Sequence, residues 1–476
     1  MSIDLENLTI KKAGEAFRKK EFSVTDLVET YLHKIKKRNP ELNAYLEIYD
    51  DVLSQAEMAQ KRIDAGEEGE LIGIPLAIKD NILIDGKKAS SASKILEGYV
   101  ATYDATVITK LKEAGAIFLG RTNMDEFALG GSTEKSAYGV TKNPYDNTRV
   151  SGGTSGGSAS AVAANLALVA LGSDTGGSIR QPSSFCGVVG LKPTYGMVSR
   201  SGLMAAVSSF DCIGPIAKNV KDAEIIFNVI KGNDSLDSTT IKETTYKKLD
   251  KKGKIKIGVP WRLINQGGID NKVKKNFEEA IGKMQSLGFE VVEKDLPTTQ
   301  YSLALYYILN FAEVSSNLAR FDGVKYGLHK SGATGIEDYF NTRGDGFGKE
   351  ARRRILLGTY VLSAGYYEAY YSKAQSARDV LKKEIDSVFK TVDFIATPTS
   401  PIPAWKIGEK SDPLSAYLAD IFTVTANITG LPAISLPSGF SEINGKKLPL
   451  GFQLMAPHAC EKLLFSIGKK FLNEVE

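Results

Sequence analysis

The chain has 476 residues, 42% of them hydrophobic and 24% charged, the balance of an ordinary globular protein with material for a large core. Its 60 basic and 56 acidic residues leave a formal charge of +4, too small for the basic footprint of a protein that binds nucleic acid directly, so any RNA is expected to be held by a partner. The three cysteines, Cys186, Cys212 and Cys460, are scattered without C-x-x-C spacing, which argues against a disulfide framework and a zinc site.

No apolar run is long enough to span a bilayer, and residues 1–18 lack the apolar core of a signal peptide, so a cytoplasmic location is expected. Helical spacing covers residues 8–18 and 24–38, with Ser23 as an N-cap and a stop before Asn39-Pro40. Both helices are expected to pack outside the core. Residues 71–78, LIGIPLAI, are too few for a helix and read as a buried strand that delivers Lys79. Residues 106–114 look helical, Gly115 caps them, and 116–119 return as a strand, the alternation of an α/β sheet. Next, 158–165 predict a helix, 166–171 a buried strand, and 172–178 a turn at its carboxyl end, where open α/β sheets keep their sites.

Ala223, Ile226, Phe227 and Ile230 mark a helix that ends at Gly232. Residues 233–254, rich in Asp, Ser, Thr and Lys, read as an exposed connection between two halves of the chain. A strand follows at 254–260, then a helix stripe (Val273, Phe277, Ala280, Met284, Leu287) and a strand at 289–292. Residues 301–318 and 352–380 are long helical segments, and the Gly-rich 323–348 between them reads as loops over a site. Short strands at 394–397, 433–436 and 450–454 complete the pattern, with no internal repeat.

The chemistry concentrates in residues 151–192, where three glycine pairs crowd hydroxyls around an apolar run that no flexible linker would enclose. A serine hydroxyl becomes a nucleophile only with a base in reach and donors for the oxyanion. Ser178 follows Asp174-Thr175-Gly176-Gly177, and the Thr175, Gly176 and Gly177 amides are candidates for the oxyanion hole. His33, His329 and His458 all lie outside the block, so a lysine must serve as base, and it can do so only where burial favours its neutral form. Lys79 at the end of an apolar strand is the candidate; its bland reading is a surface lysine.

GGTSGGSA, GSDTGGSIRQPSSFCGVVGLKPTYG and the upstream GIPLAIKDN together resemble the amidase signature family. That resemblance implies a single α/β/α domain over 1–476, with a large mixed central sheet flanked by helices. Its parts would be N-terminal helices 1–65, a catalytic core 66–232, the connection 233–254 and a C-terminal part 255–476. It also implies a Ser-Ser-Lys triad, with Ser178 as nucleophile, the bridging hydroxyl at Thr154 in a non-proline cis peptide, and Lys79 as base. Threonine stands at the bridge where the family usually has serine, adding a methyl group and a stiff χ1, and Ser155 is an alternative participant.

MDEFALGGSTEKSAYGVTKNP, NLARFDGVKYG, FGKEARRRILLGTYVLSAGYYEAYY and DPLSAYLADIFTVTANITGLPAISLP resemble, more narrowly, the glutamine-hydrolysing subunits of tRNA-dependent amidotransferases. Such a protein hydrolyses glutamine in a heterotrimer with subunits B and C and passes ammonia to a partner. Glu-tRNA(Gln) is held mainly by that partner, which also uses ATP and magnesium; this chain would hold no metal or organic cofactor. The amino and carboxylate groups of glutamine need a carboxylate and a guanidinium. Similarity gives these as Asp420 and Arg354, with Tyr306 favoured over Tyr307 beside them, the choice among Arg352, Arg353 and Arg354 being open. Alternatives are a stand-alone amidase for small aliphatic or aryl amides, without an amino-acid clamp, and a catalytically weak scaffold protein, for which Thr154 is the supporting feature.

Overall fold

Amphipathic spacing at the start of the chain produces α1 (Ile10–Lys19), α2 (Val24–Leu42) and α3 (Val52–Asp64) in the computed structural model, which describes residues 3–242, 253–265, 268–410 and 412–474. Ser23 closes a capping box with Asp26 at the start of α2. Contrary to the expected stop, α2 runs through Pro40, which removes one i→i−4 bond only two residues from the end, so little helix lies beyond the break, and Asn43 in a left-handed conformation ends it. Nor do these helices lie outside the core, since Ile10, Ala13, Phe17, Val24, Leu27 and Tyr31 are buried in the main apolar cluster. Between α2 and α3 lies an edge strand absent from the sequence reading, β1 (Tyr45–Ile48).

Further strands are β2 (Pro75–Lys79), β3 (Ile117–Thr122), the small hairpin β4 (Lys142–Asn143) and β5 (Asp146–Val150), then β6 (Val169–Asp174), β7 (Val189–Lys192) and β8 (Cys212–Ala217). The later part of the chain adds β9 (Lys256–Val259), β10 (Glu290–Glu293), β11 (Phe394–Pro398), β12 (Ala433–Ile443) and β13 (Lys446–Met455). Apart from the hairpin, all belong to one 11-stranded mixed sheet in the order β1-β3-β2-β6-β8-β7-β12-β13-β11-β9-β10. Strand β2 runs parallel to both β3 and β6, with Ile78 opposite Leu171, so their carboxyl ends open at one edge of the sheet. The pairing of β7 with β12 carries the sheet across the polar connection.

Helices α4 (Thr106–Glu113), α5 (Gly156–Ala163), α6 (Arg180–Cys186) and α7 (Val220–Ile230) fill the first half, and α8 (Trp261–Asn265), α9 (Asn271–Ser286) and α10 (Ser302–Asn317) open the second. The Gly-rich 323–348 is more than loops, because it contains α11 (Gly335–Gly346). The segment expected as one helix over 352–380 is broken into α12 (Lys349–Leu362), a π-helical turn at Glu368–Ser372, and α13 (Lys373–Val388). Gly365, at φ +83, stands in the break. Helices α14 (Pro413–Tyr417), α15 (Val424–Thr429) and α16 (Glu461–Phe471) complete the chain.

Of the predicted exposed connection, 243–252 lie outside the described residues, and its start, mostly exposed or half-buried, is tied down by side chains. Asp234 accepts from the Thr106 and Ser199 hydroxyls at 2.5 Å each, and Arg200 pairs with Asp237 at 3.0 Å. Among the described residues no helix is long and apolar enough to cross a membrane.

Candidate active site

Strand β2 ends in Lys79, fully buried where β6 also ends. Its Nζ donates to Thr154 Oγ1 at 2.7 Å, Ser155 Oγ at 2.8 Å, Ser173 Oγ at 2.9 Å and the Ser173 carbonyl at 3.2 Å. Burial pulls the ammonium from 10.5 to about 7, against the opposing pull of Asp125, Asp174 and Asp211. A lysine so placed is readily neutral and can accept a proton from a hydroxyl it touches. The Gly153–Thr154 peptide is cis, and Ser155 donates its amide to the Ser178 carbonyl at 3.0 Å, which seats residue 178 beside the lysine-bound hydroxyls.

The turn after β6 is held from below by Asp174. This buried carboxylate accepts from the Gly177 amide at 2.8 Å, the Ile179 amide at 3.1 Å and, as a fork, from Arg180 Nε and Nη2 at 3.0 Å each. Burial pushes the Asp174 carboxyl up, but Arg180 outweighs it and holds the group well below the usual carboxylate range. Arg180 in turn reaches the Thr423 carbonyl at 2.9 Å, Gln453 at 2.7 Å and Asn427 at 2.6 Å. One of the three candidate oxyanion donors is therefore corrected: the Gly177 amide is committed to Asp174. Among the described residues the amides of Thr175, Gly176 and Ser178 donate to no protein acceptor. The Thr175 hydroxyl donates to Asp211 at 2.8 Å, which steadies the turn from its other side.

Tyr306, Tyr307, Arg354 and Asp420 are brought together above that turn. The Tyr306 ring lies so close to Gly176 that a methyl group there would meet its hydroxyl at 2.5 Å. Tyr307 instead donates its hydroxyl to Asp420 at 3.1 Å, so the two tyrosines do different things. Of the three adjacent arginines only Arg354 is buried; Arg352 turns outward to the Gly344 carbonyl and Arg353 pairs with Glu350 and Tyr417. Arg354 gives Nε to Glu350 at 2.7 Å and Nη1 to Asn310 at 2.9 Å, which leaves Nη2 for a carboxylate. Burial raises the Asp420 carboxyl from 3.8 to about 7, in spite of the Tyr307 bond and Arg354 nearby. A bound ammonium group would restore its charge.

Several residues of this assembly escaped the sequence reading, among them Asp211, Asn310, Glu350 and Thr423, whose hydroxyl donates to the Gly176 carbonyl at 2.6 Å. Asn310 and Glu350 carried a usable signal: each lies four residues from a site residue on the same helix, where side chains share a face. Asn310 binds both Arg354 and the Tyr306 hydroxyl, at 3.2 Å, and so fixes their spacing.

An α/β sheet with a lysine and hydroxyl cluster at its strand ends, facing a glycine-rich turn of free amides, is the equipment of a serine amide hydrolase. The family model described as Amidase matches residues 26–465, and the chain belongs to that family. Within it, the chain is 50% identical over 469 residues to the A subunit of the glutamyl-tRNA(Gln) amidotransferase of Alkaliphilus metalliredigens, covering 97% of this chain and 95% of that one. The crystal structure of the A subunit of the glutamyl-tRNA(Gln) amidotransferase from Thermotoga maritima is 42% identical, with a TM-score of 0.78 over 99% of this chain and 94% of that one. A peptide amidase, 28% identical, superposes with a TM-score of 0.83 over 99% and 98%. The fold is thus shared by enzymes of different substrates, and the choice of substrate rests on the side chains around the turn.

Proposed function

We propose that this chain, over residues 1–476 as one catalytic unit, hydrolyses glutamine as the A subunit of a cytoplasmic glutamyl-tRNA(Gln) amidotransferase. In that role it supplies ammonia to a partner that converts Glu-tRNA(Gln) to Gln-tRNA(Gln). The heterotrimer would include subunits B and C, with ATP and magnesium used by the partner. The observation that carries the reading is the buried Arg354 and Asp420 pair beside the Gly176 turn: a simple amide has no groups for either, whereas an α-amino acid has both.

In this reading the α-carboxylate takes the Arg354 guanidinium through Nη2, the α-ammonium takes Asp420, and Tyr306 bounds the side chain next to Gly176. Neutral Lys79 takes the proton of the Thr154 hydroxyl, which takes that of Ser178 as Ser178 Oγ attacks the side-chain amide carbon. Free amides of Thr175, Gly176 and Ser178 receive the oxyanion. The proton returns through Thr154 to the nitrogen, ammonia leaves, and the glutamyl ester on Ser178 remains. Water, deprotonated by the same relay, adds to the ester carbon and releases glutamate, which regenerates the Ser178 hydroxyl.

The test is ammonia release from glutamine by the full chain, alone and with subunits B and C, beside benzamide. Glutamine hydrolysis that rises with the partners is expected, with losses of about 10³-fold or more in Ser178→Ala and Lys79→Ala. Thr154→Ser should keep activity and Thr154→Val lose it. Cleavage of benzamide alone, indifferent to partners, would instead identify a free amidase.

A further inference from the structure

Two neighbouring acidic side chains, Asp125 and Glu126, leave the segment after β3 in different directions, and neither belongs to the relay or the clamp. Asp125 accepts from the amides of Thr133 at 2.8 Å, Lys135 at 3.0 Å and Ser132 at 3.2 Å. The Thr133 hydroxyl then donates to the Gly152 carbonyl at 2.8 Å and accepts from the Gly156 amide at 3.2 Å, bracketing the peptide that carries Thr154. Asp125 also lies directly on Gly153, where a methyl group would meet its Oδ2 at 2.3 Å. This arm sets the position of the bridging hydroxyl.

Glu126 forms the other arm. Helix α12 begins at Gly348, a cap residue with no side chain, and its third helical residue is Ala351, so the helix contains no capping box of its own. Glu126 supplies the missing half from 222 residues away: its carboxylate accepts the Gly348 amide at 3.0 and 2.9 Å and the Ser93 hydroxyl at 2.5 Å. Phe127, the next residue, packs its ring against Phe347 at 5.7 Å, immediately before that cap. A carboxylate at this end also complements the helix dipole. Arg354 lies six residues further on, about 9 Å along the axis, so the cap fixes where the guanidinium stands.

We propose that Asp125 and Glu126 act together as a spacer that sets the distance from the nucleophile side of the site to the α-carboxylate clamp, and that Glu126 is thereby a positioning residue for side-chain length. The inference rests on the glutaminase reading above. Glutamine and asparagine present the same α-groups and the same amide, and differ by one methylene in the distance between them. A clamp held at fixed separation from Ser178 discriminates by that distance, and one methylene commonly gives about a 10–200-fold preference. Loosening the α12 cap lets Arg354 approach or recede, which weakens the preference before it affects the relay.

The experiment compares kcat and KM for glutamine and asparagine in the full chain assembled with subunits B and C, as wild type, Glu126→Ala and Glu126→Gln. In Glu126→Ala the ratio of kcat/KM for glutamine over asparagine is expected to fall about tenfold, chiefly through KM for glutamine, against a wild-type preference of the size given above. Glu126→Gln keeps an acceptor for the Gly348 amide and should recover part of the ratio, to roughly two- to fivefold below wild type. A lesion that merely softened the fold would lower both substrates together. Should Glu126→Ala fail to fold, Glu126→Gln carries the test alone, with a fall of roughly two- to fivefold expected. A ratio within about twofold of wild type in every folded variant overturns the spacer. Absence of glutamine hydrolysis in the wild-type complex overturns the glutaminase reading itself and the spacer with it.

Discussion

At Lys79 the deciding balance is between burial, which favours the neutral amine, and three carboxylates that favour the ammonium; burial wins, to about 7. Asp420 stands at about 7 for the matching reason, burial favouring its neutral acid. Both groups must lose a proton to work in the proposed reaction, the lysine to accept one and the aspartate to meet an ammonium. It follows that kcat/KM for glutamine should rise with pH through about 7, with a limiting log–log slope near two on the acid side. A simple amide, which has no ammonium to bind, should show a slope near one. Equal slopes for both substrates would remove Asp420 from recognition. Residues 79, 154, 178 and 420 were nameable from sequence because the motifs around them are long and ordered, and Arg354 was named with the choice among residues 352–354 left open. Asp211 was not, because a single carboxylate on a loop becomes meaningful only when folding aims it at a partner; Asn310 and Glu350 showed only in their four-residue spacing from Tyr306 and Arg354. The misassigned Gly177 amide is the same lesson: its neighbour Asp174 captures it, and no spacing announces that.

Among the elements, the turn in residues 172–178 is held at separate points by Asp174, Asp211 and Thr423 while Tyr306 closes on it. Gly176→Ala would add a methyl group 2.5 Å from both Tyr306 Cζ and its hydroxyl, so turn or ring must move by about 1 Å. Displacement on that scale typically costs about 10²-fold in rate, and kcat for glutamine should fall by that much while far-UV circular dichroism is retained. Full activity in that variant would mean the turn is not the oxyanion site. Helices with regular apolar stripes, such as α7 and α9, were legible to within a few residues. The strands β1, β7 and β8 were not. β1 is four residues long, and β8 contains Gly214-Pro215, which reads as a turn; the proline is tolerated because β7 pairs with β8 only at Ile216 and Ala217. Helix α6, RQPSSFC, is buried on every side although most of its residues are polar, so no apolar stripe reveals its period.

For the molecule as a whole, the single sheet makes the two sides of the polar connection interdependent. Splitting the chain there would expose β7 and β12 as unpaired edges in the middle of an 11-stranded sheet, a template for aggregation. Residues 1–242 and 253–476 produced separately are therefore expected to be insoluble, and the intact chain to lose near- and far-UV dichroism in one shared thermal transition. Two resolved transitions would show that the halves fold alone. Arg180 adds a consequence in time. The relay and the turn are complete in the primary sequence by Ser178, yet the arginine that braces them waits for Gln453, 273 residues later. At roughly 5–20 residues per second of ribosomal synthesis, that wait is about 15–55 seconds. In the proposed reaction a nascent chain would carry Ser178 well before Gln453 can brace Arg180, and glutamine hydrolysis is expected only from molecules that have been made almost to the end.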